Sequence, residues 1–173
     1  MSFFRSATML MVQYAHYHRD RRNIATHLLG VPLIFMAIGI FLTQPEWVVE
    51  GHVLTPAWLI WGLTSLWYLT RGHFFLGLAT TLVNGLWISL AHKLAPMAPS
   101  MGLEVWQWGL GIFVVGWIFQ FIGHYWEGQK PAFVDDVVGL LVGPMFVVAE
   151  VLMALGMMPQ LRMAIERQAG PTR

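Results

Sequence analysis

Apolar residues along this chain gather into five long runs, which short polar stretches separate. A run needs about 20 residues to cross the hydrocarbon core of a bilayer as a helix. Four of the runs approach that length, whereas the second is shorter and could enter and leave the membrane on one side. The pattern therefore predicts four to five transmembrane helices, over residues 23–42, 56–70, 73–91, 104–125 and 131–157.

The segments between and beside these runs complete the predicted architecture. Residues 2–18 combine apolar and polar side chains and predict an amphipathic helix at the membrane interface. Residues 44–55 predict a loop, and the polar tail 160–173 predicts a helix in its first part. Glycines at positions 109, 111 and 116, inside the fourth run, are typical of closely packed membrane helices. We therefore expect an all-α, polytopic integral membrane helix bundle that forms one domain over residues 1–173.

The composition agrees with a membrane protein and excludes several other classes. Of the 173 residues, 57% are hydrophobic and 11% are charged, and the mean hydropathy is +0.59. Globular proteins carry about 25% charged residues. A net charge of +1 gives no basic surface of the kind that binds nucleic acid. Without cysteine, the chain has no disulfide, thiolate metal ligand or thiol nucleophile. Its first ten residues lack the pattern of a cleavable signal peptide.

Basic residues predict the orientation of the chain in the membrane. Arg19, Arg21 and Arg22 precede the first long run, and the loop after that run has no Lys or Arg. Because short basic loops stay in the cytoplasm, we expect the N-terminal side there. Five crossings would place Arg162 and Arg167 on the opposite side, in conflict with the same rule.

Polar side chains with metal-binding chemistry stand at the edges of two of the runs. His18 and His27 are nine residues apart, which puts them on opposite sides of an unbroken helix. They can converge only if the helix breaks between them, and the basic stretch after His18 offers such a break. Gln120, His124 and Glu127 form a second polar stripe, at i, i+4 and i+7. We expect the two stretches to meet at one membrane surface and to hold a metal ion.

Residues near these histidines have predicted roles of their own. Asn23 and Gln120 each precede a histidine by four residues, where they could accept the ring N–H that does not bind metal. Asn23 is also a suitable N-cap for the helix that follows. Glu127 could supply a carboxylate ligand, or it could contact a metal-binding residue without binding the metal itself. Asp135 either supplies a favourable charge at a helix N-terminus or orients a ligand.

Taken together, the two stretches resemble a known family. The shared pattern is Tyr14-x3-His18-x4-Asn23-x3-His27, then GWIFQFIGH over 116–124, Glu127, Pro131-Ala132 and Asp135. It is similar to the yeast 2-hydroxy fatty acid dioxygenase family, whose founding member acts in converting phytosphingosine to odd-numbered fatty acids. The likeness continues through Pro144 and Glu150 and so covers most of the chain. The short, compact chain indicates a bacterial member in the inner membrane, with its active site facing the cytoplasm.

The resemblance implies an integral membrane enzyme that uses Fe(II) and dioxygen. Its substrate would be a 2-hydroxy fatty acid, converted by α-oxidation into CO2 and an acid one carbon shorter. Such a site leaves open positions where a 2-hydroxy carboxylate can chelate the iron. The implied iron ligands are His18, His27 and His124, with Asn23, Gln120, Glu127 and Asp135 near them. A basic residue (Arg19, Arg21, Arg22 or Arg71) could hold the substrate carboxylate at the membrane face, or could serve orientation alone.

Three other readings stay open at this point. A di-iron lipid hydroxylase or desaturase is also a membrane histidine protein, although this chain lacks the HxxHH clusters of that class. A non-catalytic membrane protein could use the histidines to bind a metal or haem. Finally, histidines at a membrane interface can simply cap helix ends or bind backbone carbonyls. Metal content separates these classes.

Overall fold

A computed structural model describes residues 3–173 as a bundle of α-helices with one small β-hairpin. The helices are α1 (Ala7–Ala15), α2 (Arg21–Phe41), α3 (Pro56–Leu69), α4 (Phe74–Leu94), α5 (Val105–Glu127), α6 (Ala132–Asp135), α7 (Val138–Ala154) and α8 (Pro159–Ala169), with a 3-10 helix over Ala95–Met101. The predicted all-α membrane bundle is confirmed. Three helices are long and apolar enough to cross a membrane, namely α2, α4 with the 3-10 helix, and α5. A fourth span results only if α7 and α8, bent by 112°, count as one.

The first helix lies in the protein core rather than only on a membrane surface. The prediction began it at Ser2, which lies outside the described residues, whereas α1 begins at Ala7 after the N-cap Ser6. Leu10 and Met11 are fully buried and belong to the main hydrophobic core. They pack there because α1 contacts α7 and α8. α1 therefore belongs to the core that supports the loop after it.

The predicted loop 44–55 contains a β-hairpin, so the loop prediction was wrong in its centre. Strands β1 (Trp47–Val49) and β2 (His52–Leu54) pair antiparallel, with Val49 opposite His52. Glu50 and Gly51 connect them with φ angles of 50° and 80°. Positive φ at both central residues is what a two-residue type I′ turn requires. The strands are too short to show a clear alternation in the sequence.

Helices α2 and α5 run antiparallel in close contact, and glycines allow the approach. A Cβ at Gly30 would lie 2.8 Å from the carbonyl oxygen of Gly116. At the other end of the pair, a Cβ at Gly109 would lie 2.9 Å from the ring of Phe41. The predicted close packing is confirmed at these positions, whereas Gly111 faces open space. The register therefore puts the start of α2 beside the end of α5.

The fifth apolar run is not one helix, because it breaks between α6 and α7 at Asp136, whose backbone is extended. The Phe133 ring in α6 lies 4.9 Å from Trp117, well inside α5. From there α7 runs back until Glu150 lies 3.7 Å from Arg19, in the loop before α2. Since α8 then packs on α1, this part of the chain enters and leaves the bundle at the same end.

Candidate metal centre

The loop between α1 and α2 brings its histidine into the bundle. The helix break predicted between His18 and His27 is confirmed, since α1 ends at Ala15 and α2 begins at Arg21. The N-cap of α2 is Asp20, whose side chain accepts the Arg22 N–H at 2.8 Å. The N-cap prediction for Asn23 was therefore wrong. Asn23 lies inside the first turn, where its side chain faces the interior and is fully buried.

Three buried histidines meet where this loop, α2 and α5 converge. The ring centroids of His18 and His27 are 4.4 Å apart, and His124 lies 4.9 Å and 5.0 Å from them. Each ring offers a nitrogen, and these nitrogens all lie within 4.8 Å of one another. Among residues 3–173, no other group of three or more His, Cys, Asp or Glu side chains is arranged to hold a metal ion.

Backbone carbonyls orient two of the three rings. The Nδ1–H of His18 donates to the carbonyl oxygen of Tyr14 at 2.8 Å, and that of His27 to the carbonyl oxygen of Asn23 at 2.9 Å. In a neutral imidazole the other nitrogen is then an unprotonated acceptor. The two Nε2 atoms face each other at 3.0 Å, and such lone pairs repel unless a cation lies beside both.

This arrangement fits a metal ion. Two nitrogens bound to one metal at about 2.1 Å and at nearly 90° lie about 3 Å apart. A proton shared between the rings is the other possible cation. Burial, and then the neighbouring His27 ring, hold the pKa of His18 well below its ordinary value and oppose that proton. The donor set also matches the common pattern in which a metal-binding histidine donates its second N–H to a carbonyl.

Aromatic side chains hold the His18 ring in place. Tyr14 stacks on it with a centroid distance of 4.2 Å and an angle of 4° between the planes. Phe146 in α7 lies 5.1 Å away on the same ring. No local signal in the sequence pointed to the contact with Phe146. Together the two rings keep water from one side of the cluster.

His124 and Gln120 both have buried nitrogens without partners. Nδ1 of His124 makes no hydrogen bond of ordinary length and angle in the described chain, although the backbone of Gln129 lies near this ring. The sequence predicted that Gln120 orients this ring, but no hydrogen bond joins the two side chains. Instead, Nε2 of Gln120 is also buried without an acceptor in the described chain. Both groups are therefore available to a ligand.

Glu127 holds the loop that carries His18. Its Oε2 accepts hydrogen bonds from the backbone N–H of Arg19 at 2.9 Å, from that of Asp20 at 2.8 Å and from Nδ2 of Asn23 at 3.0 Å. Its Oε1 accepts from the guanidinium of Arg173 at 3.3 Å. With its acceptor capacity largely used, the carboxylate does not join the three histidines. The side chain of Asn23 likewise serves this contact, while its backbone carbonyl orients His27.

Asp135 lies apart from the histidines, at the protein surface. It accepts a hydrogen bond from the hydroxyl of Tyr17 at 2.9 Å and pairs with Nζ of Lys130 at 2.6 Å. The hydrogen bond from Lys130, then that from Tyr17, lower the pKa of Asp135 below its ordinary value. This side chain therefore ties α6 to the loop before α2.

The arginines suggested as carboxylate partners are engaged elsewhere. Arg19 is buried and donates to the carbonyl oxygens of Ala15 and His18. Arg22 pairs with Asp20, and Arg71 donates to the carbonyl oxygen of Trp67. None of these side chains, nor Arg21, lines the cavity beside the histidines.

A largely apolar cavity of about 170 Å³ extends from the histidines into the bundle. Its polar side chains are confined to one end, where His27, Gln120, His124 and Tyr14 lie. The rest is apolar and comes from one face of α2 (Val31, Ile34, Phe35 and Ile38), one face of α5 (Phe113 and Trp117) and the segment from Pro131 to Pro144. Sequence reasoning missed this cavity. The repeated spacing of four, three and four residues from His27 to Ile38, and again from Phe113 to His124, was the available signal.

The fold and the site together define an all-α membrane protein with a buried three-histidine centre at the head of an apolar cavity. Comparison with known proteins gives this class a family. The sequence model of the Mpo1-like family, described as 2-hydroxy-palmitic acid dioxygenase Mpo1-like, matches residues 4–155. The chain belongs to this family, as the resemblance of its motifs predicted.

A curated relative extends the likeness over most of the chain. The chain is 33% identical over 155 residues to the 2-hydroxy-palmitic acid dioxygenase MPO1 of Saccharomyces cerevisiae. That alignment covers 88% of this chain and 83% of the yeast protein. No solved structure matches the chain.

Proposed function

We propose that this protein is a ferrous-iron-dependent dioxygenase that removes one carbon from 2-hydroxy fatty acids. The observation that carries the proposal is the pair of facing Nε2 atoms of His18 and His27, 3.0 Å apart, with a ring nitrogen of the buried His124 within 4.8 Å of them. Membership of the family supplies the reaction class, since the yeast relative is named a dioxygenase of 2-hydroxy-palmitic acid. We assign the three histidines as the iron ligands.

The proposed reaction draws all its electrons from the substrate. A 2-hydroxy acid, R–CH(OH)–COOH, and O2 give R–COOH, CO2 and H2O. The bond between C1 and C2 breaks, C2 is oxidised to a carboxylic acid, C1 leaves as CO2, and the four electrons released reduce dioxygen. Bound Fe(II) would supply a Lewis-acid site for the 2-hydroxy carboxylate and redox chemistry towards dioxygen. No 2-oxoglutarate or flavin is needed.

The protein's own residues position and shield the reactants. The carbonyl oxygens of Tyr14 and Asn23 fix two rings with their Nε2 atoms towards the centre. The Tyr14 and Phe146 rings cover His18 and limit the access of water. We assign Glu127 to positioning, because it accepts hydrogen bonds from the N–H groups of the two successive peptides that follow His18. The apolar cavity then receives the acyl chain.

The donor set favours one metal ion over two. A di-iron lipid hydroxylase would carry the HxxHH clusters that this chain lacks, and a di-iron centre in a carboxylate-type bundle is held by several carboxylates as well as histidines. In the described chain, the group around His18 contains three histidines and no carboxylate. A single iron with open positions is therefore the better match to a lipid dioxygenase.

We also propose that the histidine end faces the cytoplasm of a bacterial cell, in the inner membrane. Arg19, Arg21 and Arg22 stand at this end, and the β-hairpin at the other end has no Lys or Arg. The positive-inside rule assigns the basic end to the cytoplasm. Active-site access from that side suits a substrate delivered from lipid metabolism within the cell.

The direct test is a product analysis with purified protein. The protein is isolated without oxygen, loaded with Fe(II) and given 2-hydroxypalmitate labelled with 13C at C1, together with dioxygen. We expect the acid one carbon shorter and labelled CO2 in equal amounts, both abolished by a chelator and by His27→Ala. The matched control is His52→Ala, in the exposed β-hairpin, which should retain the activity. Intact substrate in the presence of bound iron would overturn the proposal.

A further inference from the structure

The cavity beside the histidines is an elongated slot whose length follows from the residues at its two ends. His27 and Ile38 mark its two ends on α2, eleven residues apart, and His124 and Phe113 mark them on α5, also eleven residues apart. The antiparallel register places His27 beside His124 and the apolar ends together. At 1.5 Å per residue, the distance between the ends is about 16 Å.

A buried polar group near the histidine end has no partner. Gln120 is 5% exposed, lines the cavity, and its Nε2 lacks an acceptor among the described residues. Buried amide N–H groups are normally hydrogen-bonded. The amide packs against Gly30 of α2 and lies one helical turn from His124, so we place it beside a carboxylate or hydroxyl oxygen of a ligand held at the histidines. Among the described residues that line the cavity, none at the end formed by Ile38 and Phe113 is polar.

We infer that the cavity measures the acyl chain: Gln120 binds the polar head of the 2-hydroxy acid, and Ile38 and Phe113 limit the length of the tail. This inference rests on the proposed function for the chemical class of the ligand. An extended chain with bonds of about 1.52 Å at about 111° advances roughly 1.25 Å per bond, so about 13 bonds fill the slot. A 2-hydroxy acid of 14 to 16 carbons, roughly, therefore spans the distance to Phe113. Part of this chain lies along the open side of the cavity, because the enclosed volume is only about 170 Å³ and Ile38 is partly exposed.

The test maps the end of the tail rather than the turnover. Protein loaded with Fe(II) and kept free of oxygen, so that no turnover occurs, is incubated in detergent with 2-hydroxy acids of increasing length that carry a photoreactive diazirine at the last carbon. After irradiation, mass spectrometry locates the labelled residue. For chains of about 14 to 16 carbons, we expect the label on the segments that contain Ile38 and Phe113. Labelling spread over lipid-facing residues, or absent from these segments, would overturn the inference.

Two substitutions with opposite effects make the test specific. Phe113→Ala should extend the slot and shift the best-retained chain to a length greater by two carbons or more. Ile38→Trp should shorten it and weaken the binding of the longest chains at least tenfold. Ile118→Ala, on the exposed side of α5, is the matched control and should leave the length profile unchanged. A profile that moves in neither of the first two variants contradicts the inference.

A substitution of Gln120 tests the contact between this side chain and the polar head of the ligand. Gln120→Leu should weaken the binding of the 2-hydroxy acid at least tenfold and leave the binding of the corresponding fatty alcohol unchanged, whereas equal losses for both ligands would contradict the assigned role. These outcomes are separable from those of the proposed function. Tail labelling at Phe113 without formation of the shorter acid would contradict the proposed activity and support the inferred slot. Formation of the shorter acid, with a chain-length profile that neither Phe113→Ala nor Ile38→Trp changes, would support the proposed activity and contradict the inferred slot.

Discussion

The carboxylate of Glu127 provides a sharp test of how the metal centre is built. The side chain has no exposed surface and accepts two backbone N–H groups of the loop that carries His18, besides Nδ2 of Asn23. Glu127→Ala removes this acceptor and leaves the donors buried. Glu127→Gln keeps an oxygen acceptor of the same shape but removes the charge. The two variants therefore separate the hydrogen bonds from the charge.

The expected losses follow from these contacts. Each buried donor left unpaired costs about 1–3 kcal/mol, so three of them cost about 3–9 kcal/mol, which is a large part of the 5–15 kcal/mol, roughly, that stabilises a folded protein. Local opening of the loop will reduce the sum, so we expect Glu127→Ala to lower the free energy of unfolding by about 3–5 kcal/mol, as when one partner of a buried ion pair is removed. For Glu127→Gln we expect about 1–2 kcal/mol, since neutral acceptors bind less strongly than charged ones. Metal affinity should fall about 10- to 100-fold in Glu127→Gln, a typical effect of a residue that orients a ligand.

The assay combines unfolding with a spectroscopic probe of the metal. Thermal unfolding in detergent gives the stability without metal, and titration with Co(II) gives the affinity and a ligand-sensitive absorption spectrum. The control is Glu166→Gln, whose carboxylate is 40% exposed and pairs with Arg162 on the surface of α8; it should change neither quantity. If Glu127→Gln unfolds like the parent protein but loses metal or alters the cobalt spectrum, Glu127 is itself a ligand and the positioning role is refuted.

Two further predictions concern the ligands and the packing beneath them. His18→Ala should lose most of the bound metal in elemental analysis, while His52→Ala retains it; equal metal content in both would contradict the three-histidine centre. Gly30→Ala should lower the free energy of unfolding by about 1–3 kcal/mol, as overpacking does, because its Cβ would lie 2.8 Å from the Gly116 carbonyl oxygen. Gly62→Ala, where nothing lies within 4 Å, should leave thermal unfolding unchanged or raise its midpoint, and a loss as large as that of Gly30→Ala would contradict the packing argument.

The sequence was informative wherever a signal is local. The spacing of His18 and His27 required a broken helix, and the structure has that break. The apolar runs and the absence of charge predicted α2 and α5 within a few residues of their ends. In each case the periodicity of one segment is sufficient, because a single helix fixes which of its residues share a face.

The missed features depend on contacts between distant segments. The role of Glu127 follows from backbone N–H groups more than 100 residues away, and no helix spacing reports such a partner. The cavity exists because Gly30 and Gly116 set the register of α2 against α5. The break at Asp136 separates two apolar stretches that periodicity joins into one helix.

That break also removes the conflict between the basic residues and the orientation of the chain. If the segment from α6 to α8 enters and leaves at the histidine end, the chain passes between the two ends of the bundle four times, through α2, α3, α4 and α5. The short helix α3 makes one of these passes, because Thr55 before it contacts His92 at the end of α4, whereas Arg71 after it accepts a hydrogen bond from the start of α1. Of the ten Lys and Arg residues, Lys93 alone then lies at the opposite end, beside the β-hairpin. Arg162 and Arg167, which five crossings would place outside, lie on α8 next to α1. Four crossings therefore satisfy the positive-inside rule where five do not, and this agreement supports the proposed cytoplasmic position of the histidines.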